Sequence, residues 1–212
     1  MCGIVGAVAQ RNVLGILLEG LKRLEYRGYD SAGLAISGGP TNKITNLKAV
    51  GKVNKLVAAA GKTKIKGHVG IAHTRWATHG KPKAANAHPQ TSGNTIAIVH
   101  NGIIENHEPL RAKLLKAGYV FKSETDTETI AHLIHQERKK SKVSLLDAVK
   151  RTVKKLHGAY GLCVIDRNLP DQIEGALNGR EQAEGGEEEQ AKAHPGNDLG
   201  VFRKASDGID EV

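Results

Sequence analysis

Short apolar runs and longer helical patterns follow one another along this chain, and this mixture limits the folds it can adopt. Strand-like runs, each bounded by turn or polar residues, cover residues 3–9, 33–36, 70–72, 95–99 and 160–165. Apolar side chains recur at helical spacing within residues 13–24, 106–117, 130–134 and 145–153. Because the strands and helices do not alternate strictly, the pattern predicts an α+β protein whose sheets and helices form separate layers.

Charge is distributed unevenly along the chain. Residues 1–168 carry a net charge of +16, whereas residues 169–212 carry −7. Within the acidic part, residues 179–200 are rich in Glu, Gly and Gln, a composition that cannot bury enough apolar surface to offset the entropy lost on ordering. We therefore predict one domain over residues 1–174 and a divergent, mobile, acidic and Gly-rich tail over residues 175–212.

Composition argues against several classes of protein. The longest unbroken apolar run, counting glycine, covers nine residues, far fewer than the roughly 20 that a membrane-spanning helix needs. No basic residue precedes that run as in a signal peptide, so we expect a cytoplasmic protein without membrane contact. Cys2 and Cys163 are the only cysteines and allow one disulfide at most, so stability must come from an apolar core.

Neither nucleic-acid binding nor metal binding is expected. The chain has one Trp, four Tyr and two Phe, and none alternates with Lys or Arg as a base-stacking surface requires. His132 and His135 lie three positions apart on a predicted helix, but no HExxH or Cys-rich spacing accompanies them. We interpret both as surface or core-edge histidines.

A cysteine stands directly after Met1 and directly before the first strand-like run. Removal of Met1 would make Cys2 N-terminal and combine its thiol with an α-amine, whose ordinary pKa of about 7.7 to 8.0 lets it accept the thiol proton. Nucleophile and base would then belong to one residue. The alternative is a small apolar cysteine that simply begins a strand.

The segment 73–80, His-Thr-Arg-Trp-Ala-Thr-His-Gly, follows a strand-like run. We expect it at the strand end and in the loop beyond, where binding sites are often built. Arg75 offers a planar pair of donors that suits a carboxylate, and Trp76 could cover a small ligand. The alternative is a surface arginine beside a core tryptophan.

Two further segments place polar groups at the ends of predicted elements. Asn101 and the backbone N–H of Gly102 follow a strand and can point two donors at a developing oxyanion, although Asn-Gly is also a common turn dipeptide. Residues 123–128, Ser-Glu-Thr-Asp-Thr-Glu, open a predicted helix. Asp126 there can cap the helix or bind a substrate ammonium group.

Taken together, these segments closely resemble class II glutamine amidotransferases, in particular the N-terminal glutaminase domain of the glucosamine-6-phosphate synthase family. That family comprises the isomerising glutamine:fructose-6-phosphate aminotransferases. The likeness extends through about residue 168 and is carried by residues 1–6, 26–33, 73–80, 100–105 and 123–128. It implies an N-terminal-nucleophile hydrolase fold, a four-layer αββα sandwich, that hydrolyses the side-chain amide of L-glutamine.

The resemblance also implies a role for each residue singled out above. Cys2 would attack the amide with its freed amine as base, while Asn101 and the Gly102 N–H would hold the oxyanion. Ammonia would leave, and water would cleave the γ-glutamyl thioester to glutamate without a metal or cofactor. The substrate-binding residues would be Arg75 for the α-carboxylate, Asp126 for the α-ammonium group, and Trp76, Thr78 and His79 for the pocket and its lid.

The chain departs from this family toward its C-terminal end. The isomerase portion that binds fructose-6-phosphate and accepts the ammonia is absent, so we expect a separate isomerase-type chain as partner and homodimers among full-length relatives. The acidic segment replaces the family's last strands, which predicts a sandwich incomplete at its C-terminus. Two alternatives stay open: a truncated or frame-altered relative that is inactive and acts as an interaction protein, and a basic phosphate- or nucleic-acid-binding module.

Overall fold

Two antiparallel sheets form the centre of the structure. The computed structural model describes residues 2–28, 30–41, 43–76, 82–178, 199–205 and 208–210. The first sheet contains β1 (Gly3–Val8), β2 (Ser31–Ser37), β3 (Thr45–Val50) and β4 (Val69–Arg75), in the spatial order β1-β4-β2-β3. The second contains β5 (Gln90–Ser92), β6 (Ile96–Gly102), β7 (Tyr160–Asp166), β8 (Gln172–Asn178), β9 (Leu199–Ala205) and β10 (Gly208–Asp210), in the order β10-β9-β8-β7-β6-β5.

Helices share a core with the outer face of each sheet. The helices of the first sheet are α1 (Leu14–Leu24), followed by a 3₁₀ turn at Glu25–Arg27, and α2 (Val53–Gly61). Those of the second are α3 (His107–Lys116), α4 (Asp126–Ser141) and α5 (Leu145–Val153). No helix in the described ranges is both long and apolar enough to cross a membrane.

Three apolar clusters hold the four layers together. Leu17 and Leu21 of α1 pack with Leu34 of the first sheet, and a second cluster joins the other sheet to α3, α4 and α5. Between the sheets, Ile71 meets Val99 and other side chains of the second sheet. The order helices, sheet, sheet, helices confirms the predicted α+β sandwich of αββα type.

The predicted helices all form, but several elements were not predicted. The periodic pattern missed β3, β5 and α2. β3 is an edge strand whose side chains are partly exposed and include Asn46 and Lys48, so it lacks a continuous apolar run. α2 has only nine residues, of which Val53, Leu56 and Ala60 are buried.

Strand pairing continues past residue 174. β8 pairs with β7 along most of its length and ends at Asn178, and β9 and β10 extend the same sheet. The sequence pattern did not indicate these strands, because the apolar periodicity fades from about Gly175. The division into a domain over 1–174 and a tail over 175–212 stays a prediction, and the predicted mobility of residues 179–198 lies outside the described residues.

Candidate active site

The inward faces of two strands change from apolar to polar at the same end of the sandwich. On β4, Ile71 packs between the sheets, and His73 continues its face because strand side chains alternate. On β6, Val99 packs between the sheets and Asn101 continues its face. His100 has the opposite parity and contacts α4. Polar groups of both sheets therefore meet where the apolar layer ends.

The sequence-based strand ends at residues 72 and 99 are wrong. β4 continues to Arg75, because Thr74 pairs with Gly3 of β1 and Arg75 pairs with Ser31 of β2. β6 likewise continues to Gly102, opposite Tyr160 of β7. Backbone pairing does not require apolar side chains, so these polar strand ends left no hydrophobic signal.

A cavity of about 450 Å³ opens at this end of the sandwich. It contains every predicted site residue that the structure describes, while Thr78 and His79 lie outside the described residues. The predicted residues that line it are Cys2, Arg75, Trp76, Asn101, Gly102 and Asp126. The ends of β4 and β6, the residues that flank β1 and β4, and the start of α4 contribute these residues, so parts far apart in the chain converge on one cavity.

Cys2 lies directly before β1, and contacts to β4 and to Trp76, the residue after β4, hold it in place. The Gly3 N–H donates to Thr74 Oγ1 at 3.1 Å, and the Trp76 N–H donates to Cys2 Sγ at 3.2 Å. A side chain at residue 3 would meet Leu24 and Thr74 at 2.9 Å, so only glycine allows this approach. Burial raises the pKa of the Cys2 thiol, and the Trp76 N–H opposes that rise.

Asn101 bridges the two sheets through both ends of its amide. Its Nδ2 donates to the backbone oxygen of Cys2 at 3.1 Å, and its Oδ1 lies 2.7 Å from His73 Nε2. Gly102 follows with φ of +114°, and a Cβ there would collide with the Ala159 carbonyl oxygen. The Asn-Gly pair is therefore a strand end shaped by close packing, not a turn.

Opposite charges stand on the walls of the cavity. Arg75 is 5% exposed at the end of β4. Asp126 is the first residue of α4, where the helix dipole favours a negative charge, and its carboxylate accepts hydrogen bonds from the N–H groups of Ile104 and Thr127, both at 2.9 Å. Asp126 therefore ties the start of α4 to the segment after β6 and also borders the cavity.

Three buried histidines, His73, His88 and His100, line the cavity together with Thr127, and we call these four residues the inner histidine cluster. The rings of His73 and His88 are 4.3 Å apart, and the Thr127 hydroxyl lies 3.1 Å from His88 Nε2 and 3.0 Å from His100 Nδ1. Burial lowers the pKa of each ring, and that of His73 to about 3. These rings are therefore neutral at physiological pH.

A second group, the outer histidine cluster, consists of His132, His135 and Ser92. The Ser92 hydroxyl lies 2.8 Å from His132 Nδ1 and 3.0 Å from His135 Nδ1. These are the two histidines that the sequence placed three positions apart on a helix. In the part of the chain that the structure describes, no group of three or more His, Cys, Asp or Glu is arranged to hold a metal ion.

Sequence reasoning overlooked part of this site. It passed over His88, which lies in a segment without strand or helix periodicity, and it considered Thr127 only as a helix cap. Arg27 also lines the cavity and belongs to the segment 26–33, which carries the family resemblance but indicates no role for this arginine. No local sequence pattern marks His88, because its hydrogen-bond partners, His100 and Thr127, lie 12 and 39 positions away.

Comparisons with known proteins agree with this arrangement. A family described as "Glutamine amidotransferase domain" matches residues 73–173. The chain is 58% identical over 179 residues to proteins named glutamine–fructose-6-phosphate aminotransferase [isomerizing] from Pseudomonas putida and Vibrio vulnificus, and 53% identical to one from Buchnera aphidicola. Each match covers 84% of this chain but 29% of the relative, so the chain spans less than a third of their length.

Solved structures give the same result for the fold. A glutamine phosphoribosylpyrophosphate amidotransferase from B. subtilis superposes with a TM-score of 0.69 at 27% identity. A structure described as the allosteric regulatory enzyme of purine biosynthesis superposes with a TM-score of 0.71 at 28% identity. Both matches cover 84% of this chain and 37% of the other chain.

The family match and the superposed structures show that this chain contains a glutamine amidotransferase domain with a fold of the N-terminal-nucleophile type. Within that class, the chain carries the glutamine amidotransferase domain found in the glutamine–fructose-6-phosphate aminotransferases it matches. The resemblance inferred from the sequence motifs is confirmed.

Proposed function

We propose that this chain hydrolyses the side-chain amide of L-glutamine to glutamate and ammonia. The observation that carries the proposal is one cavity lined by a thiol, an amide donor and two opposite charges: Cys2, Asn101, Arg75 and Asp126. Its volume of about 450 Å³ lies within the roughly 300 to 1,000 Å³ of typical small-molecule sites.

In this mechanism Cys2 is the nucleophile. Once Met1 is removed, the α-amine of Cys2 takes the thiol proton, and Sγ attacks the amide carbon of glutamine. This base compensates for burial, which by itself disfavours the thiolate and raises the pKa of Cys2. The carbon–nitrogen bond then breaks, ammonia leaves with the proton returned by the amine, and water cleaves the resulting γ-glutamyl thioester.

Asn101 and Gly102 stabilise the oxyanion that forms during both steps. The Asn101 amide nitrogen has two protons, and one of them is engaged by the Cys2 carbonyl oxygen. The second proton can therefore be directed at the oxyanion together with the Gly102 N–H. Such a donor lowers the barrier by about 3 to 4 kcal/mol.

The two charges select a zwitterionic amino acid. Arg75 pairs with the α-carboxylate through its planar guanidinium, and Asp126 accepts hydrogen bonds from the α-ammonium group. Fixing both ends of the backbone positions the side-chain amide at Cys2. Trp76, which is 47% exposed, covers one side of the cavity, and the lid role of Thr78 and His79 stays a prediction.

The deciding experiment measures glutamate release from L-glutamine by the purified chain, after intact mass has shown the loss of Met1. We expect release by the wild type and by Cys163→Ala, the other cysteine, and none by Cys2→Ala. Release that survives Cys2→Ala would contradict the assigned nucleophile. No release from a processed wild type would favour the inactive, truncated relative.

A second part of the proposal concerns the acceptor of the ammonia. The names of the relatives support transfer of the ammonia to a sugar derived from fructose-6-phosphate, and a separate isomerase-type chain stays the predicted partner for that transfer. Homodimeric full-length relatives and a cytoplasmic location stay predictions. Glucosamine-6-phosphate formation on mixing this chain with an isomerase domain would test the transfer, and fructose-6-phosphate without that domain is the control.

A further inference from the structure

We propose that His73 is a positioning residue that sets the orientation of the Asn101 amide for the chemistry at Cys2. This inference rests on the proposed glutaminase function. His73 lies on β4 in the first sheet and Asn101 on β6 in the second, and their side chains meet across the interface at 2.7 Å. The contact joins the sheet that carries the nucleophile to the strand that supplies the oxyanion donor.

A side-chain amide can be turned by 180° with little change in shape, so its orientation depends on its partners. The Cys2 carbonyl oxygen can only accept a hydrogen bond, and it lies 3.1 Å from Asn101 Nδ2. Asn101 Oδ1 then lies 2.7 Å from His73 Nε2, and because an amide oxygen can only accept, Nε2 must carry the proton and donate. The reversed amide would oppose two oxygens at Cys2 and direct Oδ1 toward the developing oxyanion.

The surroundings of His73 keep the ring neutral, with its single proton available for donation to Asn101. The ring is 1% exposed, and burial lowers its pKa to about 3, so it stays neutral and carries a single ring proton. The donation to Asn101 places that proton on Nε2. The ring also packs at 4.3 Å against His88, which the Thr127 hydroxyl and the His100 N–H hold in turn.

The kinetic test compares His73→Leu, which removes the donor, with His73→Gln, whose side-chain amide nitrogen can replace Nε2. We expect His73→Leu to lower kcat for glutamine hydrolysis about 10- to 100-fold with KM changed less than about twofold. His73→Gln should recover most of kcat. His68→Leu, at an exposed position, is the matched control and should match the wild type.

A double mutant separates positioning from general damage. If His73 acts through Asn101, His73→Leu should cost little further activity in a chain that already carries Asn101→Ala. Equal losses in both backgrounds, or a normal kcat for His73→Leu, would overturn the proposal. Thermal unfolding of every variant identifies any loss caused by unfolding.

A measurement on the wild type needs neither a variant nor activity. Long-range proton–nitrogen NMR correlations of the imidazole rings report which nitrogen carries the proton. We expect His73 in the Nε2–H form at neutral pH, and an Nδ1–H form would overturn the inference. A chain with the Nε2–H form that does not hydrolyse glutamine would contradict the proposed function while leaving the hydrogen bond in place.

Discussion

The inner and outer histidine clusters contain the same kinds of side chain, but they contact different parts of the sandwich. Each places a hydroxyl between two imidazole rings, Thr127 in the inner cluster and Ser92 in the outer. In each, one ring nitrogen lies within 4 Å of a carboxylate in the first turn of α4: His100 with Asp126 at 3.9 Å, and His132 with Glu128 at 3.7 Å.

The difference lies in what each cluster touches next. The inner cluster contacts Asn101 through His73, and its own side chains line the cavity beside Asp126. The outer cluster packs against the rings of Tyr119 and Phe121, at 4.8 and 4.6 Å from His132. A buried neutral imidazole can donate a hydrogen bond from one ring nitrogen and accept one at the other without carrying a charge. It can therefore hold a neighbouring polar group in a fixed position. In the inner cluster the neighbouring group is Asn101 at the cavity, whereas in the outer cluster the neighbours are aromatic rings of the core.

The largest effect on turnover should follow from removing the Asn101 amide, which contacts the inner cluster through His73. We expect Asn101→Ala to lower glutamine turnover about a hundredfold or more, because one oxyanion donor is lost. Ser92→Ala, which alters the outer cluster, should leave turnover unchanged. Steady-state glutamate release measures both, and a near-normal rate for Asn101→Ala would remove its oxyanion role.

Deleting the two hydroxyls tests the comparison directly. Thr127→Val keeps the side-chain shape but leaves buried ring nitrogens of His88 and His100 without their partner. We expect it to lower the free energy of unfolding by about 2 to 4 kcal/mol and also to reduce turnover. Ser92→Ala should cost less, about 1 to 2 kcal/mol, because of its two ring partners only His132 is buried and His135 is partly exposed.

Urea unfolding monitored by circular dichroism measures these two changes. Glutamate release under folding conditions then separates stability from function. The comparison of the clusters would fail if Ser92→Ala impaired turnover as strongly as Thr127→Val.

Much of this arrangement could be predicted from the sequence, and the rest depended on contacts distant in the chain. Cys2 and Asn101 stood out because each follows or precedes an apolar strand within a recognisable motif. His73 lies in such a motif, but the sequence indicates no role for it, because its contact is with an amide 28 positions away. β3 was missed because an edge strand with Lys48 has no apolar run. Such pairings appear only once the two sheets are stacked.

The smallest effect concerns acid stability. Burial holds the pKa of His73 near 3, well below the roughly 6.5 of an unfolded histidine. The hydrogen bond to Asn101 opposes this lowering of the pKa, whereas the nearby His100 and Arg75 side chains add to it. Below pH 6.5 the unfolded chain binds a proton that the native chain does not, so stability is complete above that pH and declines as the pH falls toward 3.

This decline gives a last contrast between the clusters. Between pH 6.5 and 5.5, His73→Gln should reduce the loss of unfolding free energy by about 1 kcal/mol, because one buried titrating group is removed. His135→Gln should reduce it less, since His135 is only half-buried and its pKa is lowered by weaker desolvation. Unfolding curves at both pH values, with exposed His68→Gln as control, measure the change. An equal effect of the two variants would mean that both clusters are desolvated alike, and the functional difference between them would then rest on the Asn101 contact alone.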